Sequence, residues 1–228
     1  MNILIIGANG FTGRWILNDL VAREIYNITA CSLRNDIQSS DGYQFIRADI
    51  RNASEVRALF KEVCPDVVIN TSALSVPDFC ETHHNEARAT NITAVEHLAR
   101  ACEQYGSRFI HLSTDFVFDG RTDRLYTEED EPNPVNYYGI TKLEGEERVA
   151  ECCGNYAIVR VVVVYGKALP GQHGNIVQLV ANKLRSGETI RVVSDQWRTP
   201  TFVGDISYAV EQLMHHPRNG IYHICGSD

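Results

Sequence analysis

Short apolar runs and amphipathic stretches alternate along the chain. Residues 2–6, 28–33, 44–48, 66–70, 108–112 and 156–164 read as buried strands, with few charges inside each run. Between them, segments running to about residue 23, over 54–63, over about 85–105, and around Tyr138 carry apolar residues at the three-and-four spacing of a helix. Strand–helix alternation of this kind predicts an α/β fold: a Rossmann-type, doubly wound parallel sheet over residues 1–165. Beyond residue 165 the rhythm changes. A helix over 176–186, a short strand near 190–193, a helix over 205–215 and a strand over 221–225 break strict repetition. Residues 166–228 are therefore read as a partial substrate-binding region interleaved with the last Rossmann elements. Its opening stretch, 166–174, is a glycine-rich connection of the kind that closes over a ligand.

Chemistry first enters where the leading strand meets Gly7-Ala8-Asn9-Gly10-Phe11-Thr12-Gly13. A glycine after a strand permits a tight turn, a second lets backbone approach a pyrophosphate, and a third lets the helix pack closely. The helix N-terminus then attracts phosphate. About 20 residues further on, a dinucleotide fold meets the adenosine ribose. Ser32 and Arg34 stand there, and a hydroxyl beside a guanidinium suits the 2'-phosphate of NADP better than the free hydroxyl of NAD. NADP is the expected cofactor, with NAD as the alternative. Thr71-Ser72-Ala73 follows the fourth strand at its carboxyl end, where small side chains leave room for the cofactor. The stretch 74–84 collects Asp78, Cys80, Glu81, His83 and His84, but its spacings match no usual zinc pattern, and no metal is expected.

Ser113-Thr114-Asp115 ends the fifth strand near the switch point of the sheet, where a hydroxyl is placed to bond a substrate carbonyl; the alternative is a helix cap or turn. Acid-rich residues 119–134 read as a solvated crossing loop. They lead to Tyr138-Gly-Ile-Thr-Lys142, whose spacing of four puts phenol and ammonium on one helix face. A lysine charge beside the phenol is expected to lower its pKa from the usual value of about 10, so that Tyr138 exchanges a proton with substrate.

Composition narrows the classes. With 21 basic and 29 acidic residues the net charge is −8, which argues against a general binder of nucleic acid or anionic membrane. Seven cysteines without regular spacing, a start that runs straight into a strand, and no long apolar run point to a reduced, cytoplasmic protein.

The glycine turn, the run Ser113-Thr-Asp-Phe-Val-Phe-Asp-Gly120 and the segment Tyr138-Gly-Ile-Thr-Lys142-Leu-Glu-Gly-Glu146, in that order, resemble the extended short-chain dehydrogenase/reductase family and, within it, the dTDP-4-dehydrorhamnose reductases. The resemblance spans essentially the whole chain. It implies an NAD(P)-dependent reductase of a nucleotide-activated 4-keto sugar, as in dTDP-rhamnose biosynthesis, with Tyr138 as proton donor, Lys142 tuning it and holding the nicotinamide ribose, and Thr114 orienting the carbonyl. It further implies that Asp49 and Ile50 flank the adenine, that Asn91 supports the site, and that Ser75, Asp115, Phe116, Asn175, Gln196 and Arg198, with the pair at 200–201, surround the nucleotide-sugar. Phe116 stands where related dehydratases carry a glutamate, which disfavours elimination. Arg198 stands where the reductases usually have glycine, and no tryptophan follows the sixth strand. Both differences bear on the choice of sugar. The resemblance is compatible with a homodimer, and it predicts further substrate-region helices beyond residue 228. Two alternatives share the same motifs: a nucleotide-sugar epimerase, and a cofactor-binding regulatory protein like the β subunit of methionine adenosyltransferase.

Overall fold

The computed structural model describes residues 1–38, 41–169, 172 and 175–226. In chain order the elements are β1 (Asn2–Ile6), α1 (Phe11–Ala22), β2 (Asn27–Ser32), β3 (Gln44–Arg47), α2 (Ala53–Val63), β4 (Val67–Asn70), α3 (Pro77–Thr82), α4 (His84–Arg88), a π-helical turn (Ala89–Thr93), α5 (Ala94–Tyr105), β5 (Arg108–Thr114), a 3-10 turn (Asp115–Val117), α6 (Tyr137–Cys152), β6 (Tyr156–Val161), β7 (Val164–Tyr165), α7 (Ile176–Arg185), β8 (Thr201–Phe202), α8 (Val203–His215) and β9 (Gly220–Ile224).

Seven strands form one sheet in the order β3-β2-β1-β4-β5-β6-β9, every neighbouring pair parallel. The order reverses between β1 and β4, so the carboxyl ends of these strands open a crevice. Both faces are covered, which explains why β4 and β5 are buried at every position rather than at alternate ones. One face packs Ile16, Leu17 and Leu20 of α1 with Ile206, Val210 and Leu213 of α8. The other packs Val56, Leu59 and Phe60 of α2 with Val95, Leu98 and Cys102 of α5 and Val149 of α6. All seven cysteines are free thiols. Among the described residues, no helix is long and apolar enough to cross a membrane.

The α/β, Rossmann-type sheet expected from the sequence is present, with four local differences. The run 156–164 is not one strand: it breaks after Val161, and Val163 takes a left-handed φ of 38°. The chain leaves the sheet there, and β7 pairs instead with β8. The strand expected near 190–193 is absent; Val192 and Val193 are exposed, with no neighbouring strand to take their backbone groups. The stretch 74–84 contains a short helix, α3, begun by Pro77 at its first position. The long helix over 85–105 carries a π turn in its middle. Two elements beyond residue 165 join the Rossmann layers: α8 lies beside α1, and β9 adds to β6 as the last strand.

Candidate active site

The glycine turn is shaped by close approach. Gly7 has φ 82°, and a Cβ there would sit 2.7 Å from Ser72 N and 2.8 Å from Thr71 Oγ1. At Gly13 a Cβ would fall 2.4 Å from Gly7 O, so α1 leaves β1 pressed against the end of β4. Gly10 caps α1 without a side-chain hydrogen bond, and the first turn has no acid. Among the described residues none accepts from the leading amides of Phe11, Thr12 and Gly13, and a turn that excludes any Cβ fits a dinucleotide pyrophosphate. The connection after β7 reaches back here: Gln172 Nε2 donates to Asn9 O at 3.1 Å and Gly10 O at 3.0 Å. Residues 170, 171, 173 and 174 of that connection lie outside the described residues.

Asn9 ties this turn to the loop after β2. Its backbone N–H donates to Ser32 Oγ at 3.0 Å, and its amide donates to Arg34 O and Asn35 O. Arg34 is exposed and makes no ion pair with a described residue, so its guanidinium is open to a ligand. Sequence reasoning missed the pair beneath it. Arg14 is 1% exposed and meets Asp36 at 2.5 Å and Tyr43 Oη at 2.9 Å. Burial pushes the Asp36 carboxyl upward, but the hydrogen bonds from Tyr43 and Arg14 outweigh it and leave its pKa below the usual range. Further round the rim, Asp49 is bound by Arg51 at 2.7 Å, and Ile50 O meets His97 Nδ1 at 3.2 Å.

At the end of β4, Thr71 Oγ1 donates to Ile6 O at 2.9 Å, and Ser72 N and Oγ both donate to Asn70 Oδ1. Ala73 precedes Leu74, whose backbone N–H and C=O are both held by Asn91. Asn91 also donates to Thr141 Oγ1 at 3.0 Å, linking the π turn to α6. Gly145 allows this contact, since a Cβ there would lie 2.4 Å from Asn91 O.

Tyr138 and Thr114 come together where α6 faces the end of β5. Both are nearly buried, and the ring of Phe116 packs edge-on against Tyr138 at 5.6 Å. Thr114 Oγ1 accepts from Phe116 N at 3.2 Å and donates to Asp115 Oδ1 at 3.2 Å. It therefore caps the 3-10 turn and faces the phenol at once. Lys142 shares the helix face, as the spacing predicts, but its expected effect on Tyr138 is not found. Lys142 Nζ turns inward, 2.7 Å from Leu112 O and 3.1 Å from His111 Nε2. The phenol's pKa is raised: burial is the main cause, the Asp115 charge adds to it, and the Thr114 hydroxyl partly offsets it. Burial lowers the Lys142 pKa to about 8, with the Glu146 charge opposing.

Of the residues expected around a substrate, Asp115, Phe116 and Arg198 form one group. Arg198 pairs with Asp115, and its guanidinium lies 4.9 Å from the centre of the Phe116 ring. Burial raises the Asp115 pKa despite that pair. Gln196 Oε1 accepts from Arg198 at 3.4 Å, and Ser75 is exposed on the segment before α3. Asn175 caps α7 and donates to Gly166 O at 2.6 Å. In the stretch 74–84, His83 stacks on Phe79 and His84 on Tyr137, while Glu81 accepts from Tyr137 N. Besides Arg14, sequence reasoning missed the buried Asn70, His111 and the Glu146–Arg160 pair at 2.6 Å. For His111 the only signal was a polar residue inside an apolar strand.

The sequence profile described as the RmlD substrate binding domain matches residues 1–228. A probable low-salt glycan biosynthesis reductase of Haloferax volcanii is 34% identical over 98% of this chain and 74% of its own length. The dTDP-4-dehydrorhamnose reductase of Shigella flexneri is 33% identical over 98% of this chain and 72% of its own. Among solved structures, dTDP-4-dehydrorhamnose reductase from Bacillus anthracis in complex with NADP superposes with a TM-score of 0.89 at 30% identity, covering 99% of this chain and 75% of that one. This chain thus spans about three quarters of the length of these relatives.

Proposed function

The chain belongs to the RmlD substrate-binding-domain family, and from that membership we propose that it is an NADPH-preferring reductase of a nucleotide-activated 4-keto sugar, of the dTDP-4-dehydrorhamnose reductase kind. The observation that carries the reading is the placement of Tyr138 beside Thr114 at the carboxyl edge of the sheet, within reach of the crevice that the glycine turn borders. When bound, the nicotinamide supplies the hydride.

The protein's part is to hold, orient and protonate. The donor-only first turn of α1 holds the pyrophosphate, and Arg34 with Ser32 stands ready for a 2'-phosphate. NADP in the Bacillus anthracis relative supports that preference. Thr114 orients the ketone oxygen. Tyr138, whose pKa is raised, keeps its proton at neutral pH, which is the state a reduction requires of the group that protonates the developing alkoxide. Asp115, Phe116 and Arg198 offer an acid, an aromatic face and a guanidinium to the sugar and its diphosphate.

Incubation with NADPH and a dTDP-4-keto-6-deoxy sugar is expected to consume NADPH and yield the reduced sugar. Calorimetry is expected to show tighter binding of NADPH than NADH, with the difference shrinking in Arg34→Ala. Stable nucleotide binding without any oxidation in the presence of keto-sugar would sink the reading.

A further inference from the structure

Behind Lys142 runs a buried chain of polar groups that the reduction as described does not use. Ser72 N donates to Asn70 Oδ1 at 3.1 Å, and Ser72 Oγ donates to the same oxygen at 2.6 Å. Asn70 Nδ2 lies 3.0 Å from His111 Nδ1, and His111 Nε2 lies 3.1 Å from Lys142 Nζ. Asn70, His111 and Lys142 are each at most 1% exposed.

Counting donors and acceptors fixes the protons. A backbone N–H can only donate, so the atom of Asn70 facing Ser72 N is the oxygen, and the atom facing His111 is the NH₂ group. His111 Nδ1 must then accept. A neutral imidazole carries one N–H, so His111 holds it on Nε2, directed at Lys142. An ammonium has three donors and no acceptor and cannot receive that bond. A neutral amine can: it accepts from His111 Nε2 and donates to Leu112 O at 2.7 Å.

We propose that His111 is a positioning residue for Lys142: locked by Asn70 and Ser72 as the Nε2–H tautomer, it opposes protonation of the lysine in the free protein. Uptake of one proton from solvent leaves the former Nε2 proton on Lys142 Nζ and places the new one on His111 Nδ1. There it faces the Asn70 NH₂, donor against donor. Protonating Lys142 therefore breaks a buried hydrogen bond two residues away.

The charged and titratable groups around Lys142 are few. Glu146 and Tyr138 face it from α6, His111 from β5, and Arg160 of β6 pairs with Glu146. Among the described charged groups only Glu146 favours the ammonium, and Arg160 pairs with it at 2.6 Å. Burial already brings the lysine to about 8; the donor conflict acts in the same direction. His111 itself stays neutral, since burial holds its pKa far below the usual value.

The inference rests on the reading of Lys142 as part of the reductase centre, yet its test needs no turnover. In the whole chain carrying ¹⁵N-histidine and ¹³C-lysine, NMR is expected to show His111 protonated at Nε2 and bare at Nδ1, and Lys142, assigned through Lys142→Met, titrating at or below about 8. His111→Gln presents an amide oxygen to the lysine and removes the conflict. The Lys142 midpoint is then expected to rise by about one unit, a tenfold gain in proton affinity. An Nδ1–H tautomer, an imidazolium, a wild-type midpoint in the ordinary lysine range, or no shift in His111→Gln would each overturn the proposal. Should His111→Gln fail to fold, the wild-type tautomer and midpoint decide alone. If the protein turns over keto-sugar, the pH profile of kcat in His111→Gln is expected to move the same way; absence of turnover bears on the proposed reduction and leaves the NMR result standing.

Discussion

Two long basic side chains, Arg14 and Lys142, are equally buried, each 1% exposed, on opposite sides of the crevice. Arg14 meets a carboxylate, Asp36, at 2.5 Å and the Tyr43 hydroxyl at 2.9 Å, and it ties the glycine turn to the loop after β2. Among the described residues, Lys142 hydrogen-bonds a carbonyl and an imidazole and no carboxylate. The first is a charge held by its partner. The second is a group whose charge is disfavoured where it stands. Burial alone therefore does not decide whether a cation is structural or poised for proton chemistry; the partner does.

The sharpest way to break the comparison is to remove each head group while keeping a long apolar stem. Arg14→Met leaves the Asp36 carboxylate without its cation and is expected to lose about 3 kcal/mol of stability in urea unfolding. Lys142→Met removes a group with no carboxylate in contact and is expected to lose about 1 to 2 kcal/mol, chiefly from the unpaired His111. Equal losses would contradict the distinction.

The pH dependences should share the sign of their slope, stability rising with pH, and differ in window. The folded-state pKa of Asp36 is depressed, so its contribution is present above the unfolded carboxylate value of about 3.9 and disappears as pH falls through the folded one. Lys142 is depressed as a base. Its unfolded form binds a proton that the folded form resists, so stability rises with pH from about 8 toward the unfolded lysine value of about 10.4. Subtracting the Lys142→Met curve from the wild type isolates that rise. The smallest effect belongs to the rim. The Arg198–Asp115 pair is partly exposed, and Arg198→Ala is expected to change stability by less than about 1 kcal/mol while weakening substrate binding.

Much of this was legible in the chain. Apolar runs and helical spacing marked the strands and helices of the sheet, and the three glycines marked a turn in which Gly7 and Gly13 indeed exclude a Cβ. The break after Val161 was hidden because residues 156–164 read as one apolar run, and only the left-handed Val163 shows where the chain turns away. Residues 190–193 had strand-like composition but no partner to pair with. At the site, the spacing of Tyr138 and Lys142 gave their shared helix face. It could not give the direction of the lysine, which points back into the sheet toward a histidine 31 positions earlier. Nor could it give the burial that raises the phenol rather than lowering it.

In the proposed reduction Tyr138 is the group that gives its proton to the ketone oxygen. The most direct measurement compares wild type with Tyr138→Phe for NADPH oxidation dependent on a dTDP-4-keto-6-deoxy sugar, with NADPH binding followed in parallel by calorimetry. The expected result is turnover by the wild type and a loss of about 10²- to 10⁴-fold in kcat for the variant, with nucleotide affinity unchanged. A variant that reduces keto-sugar as fast as the wild type would contradict it.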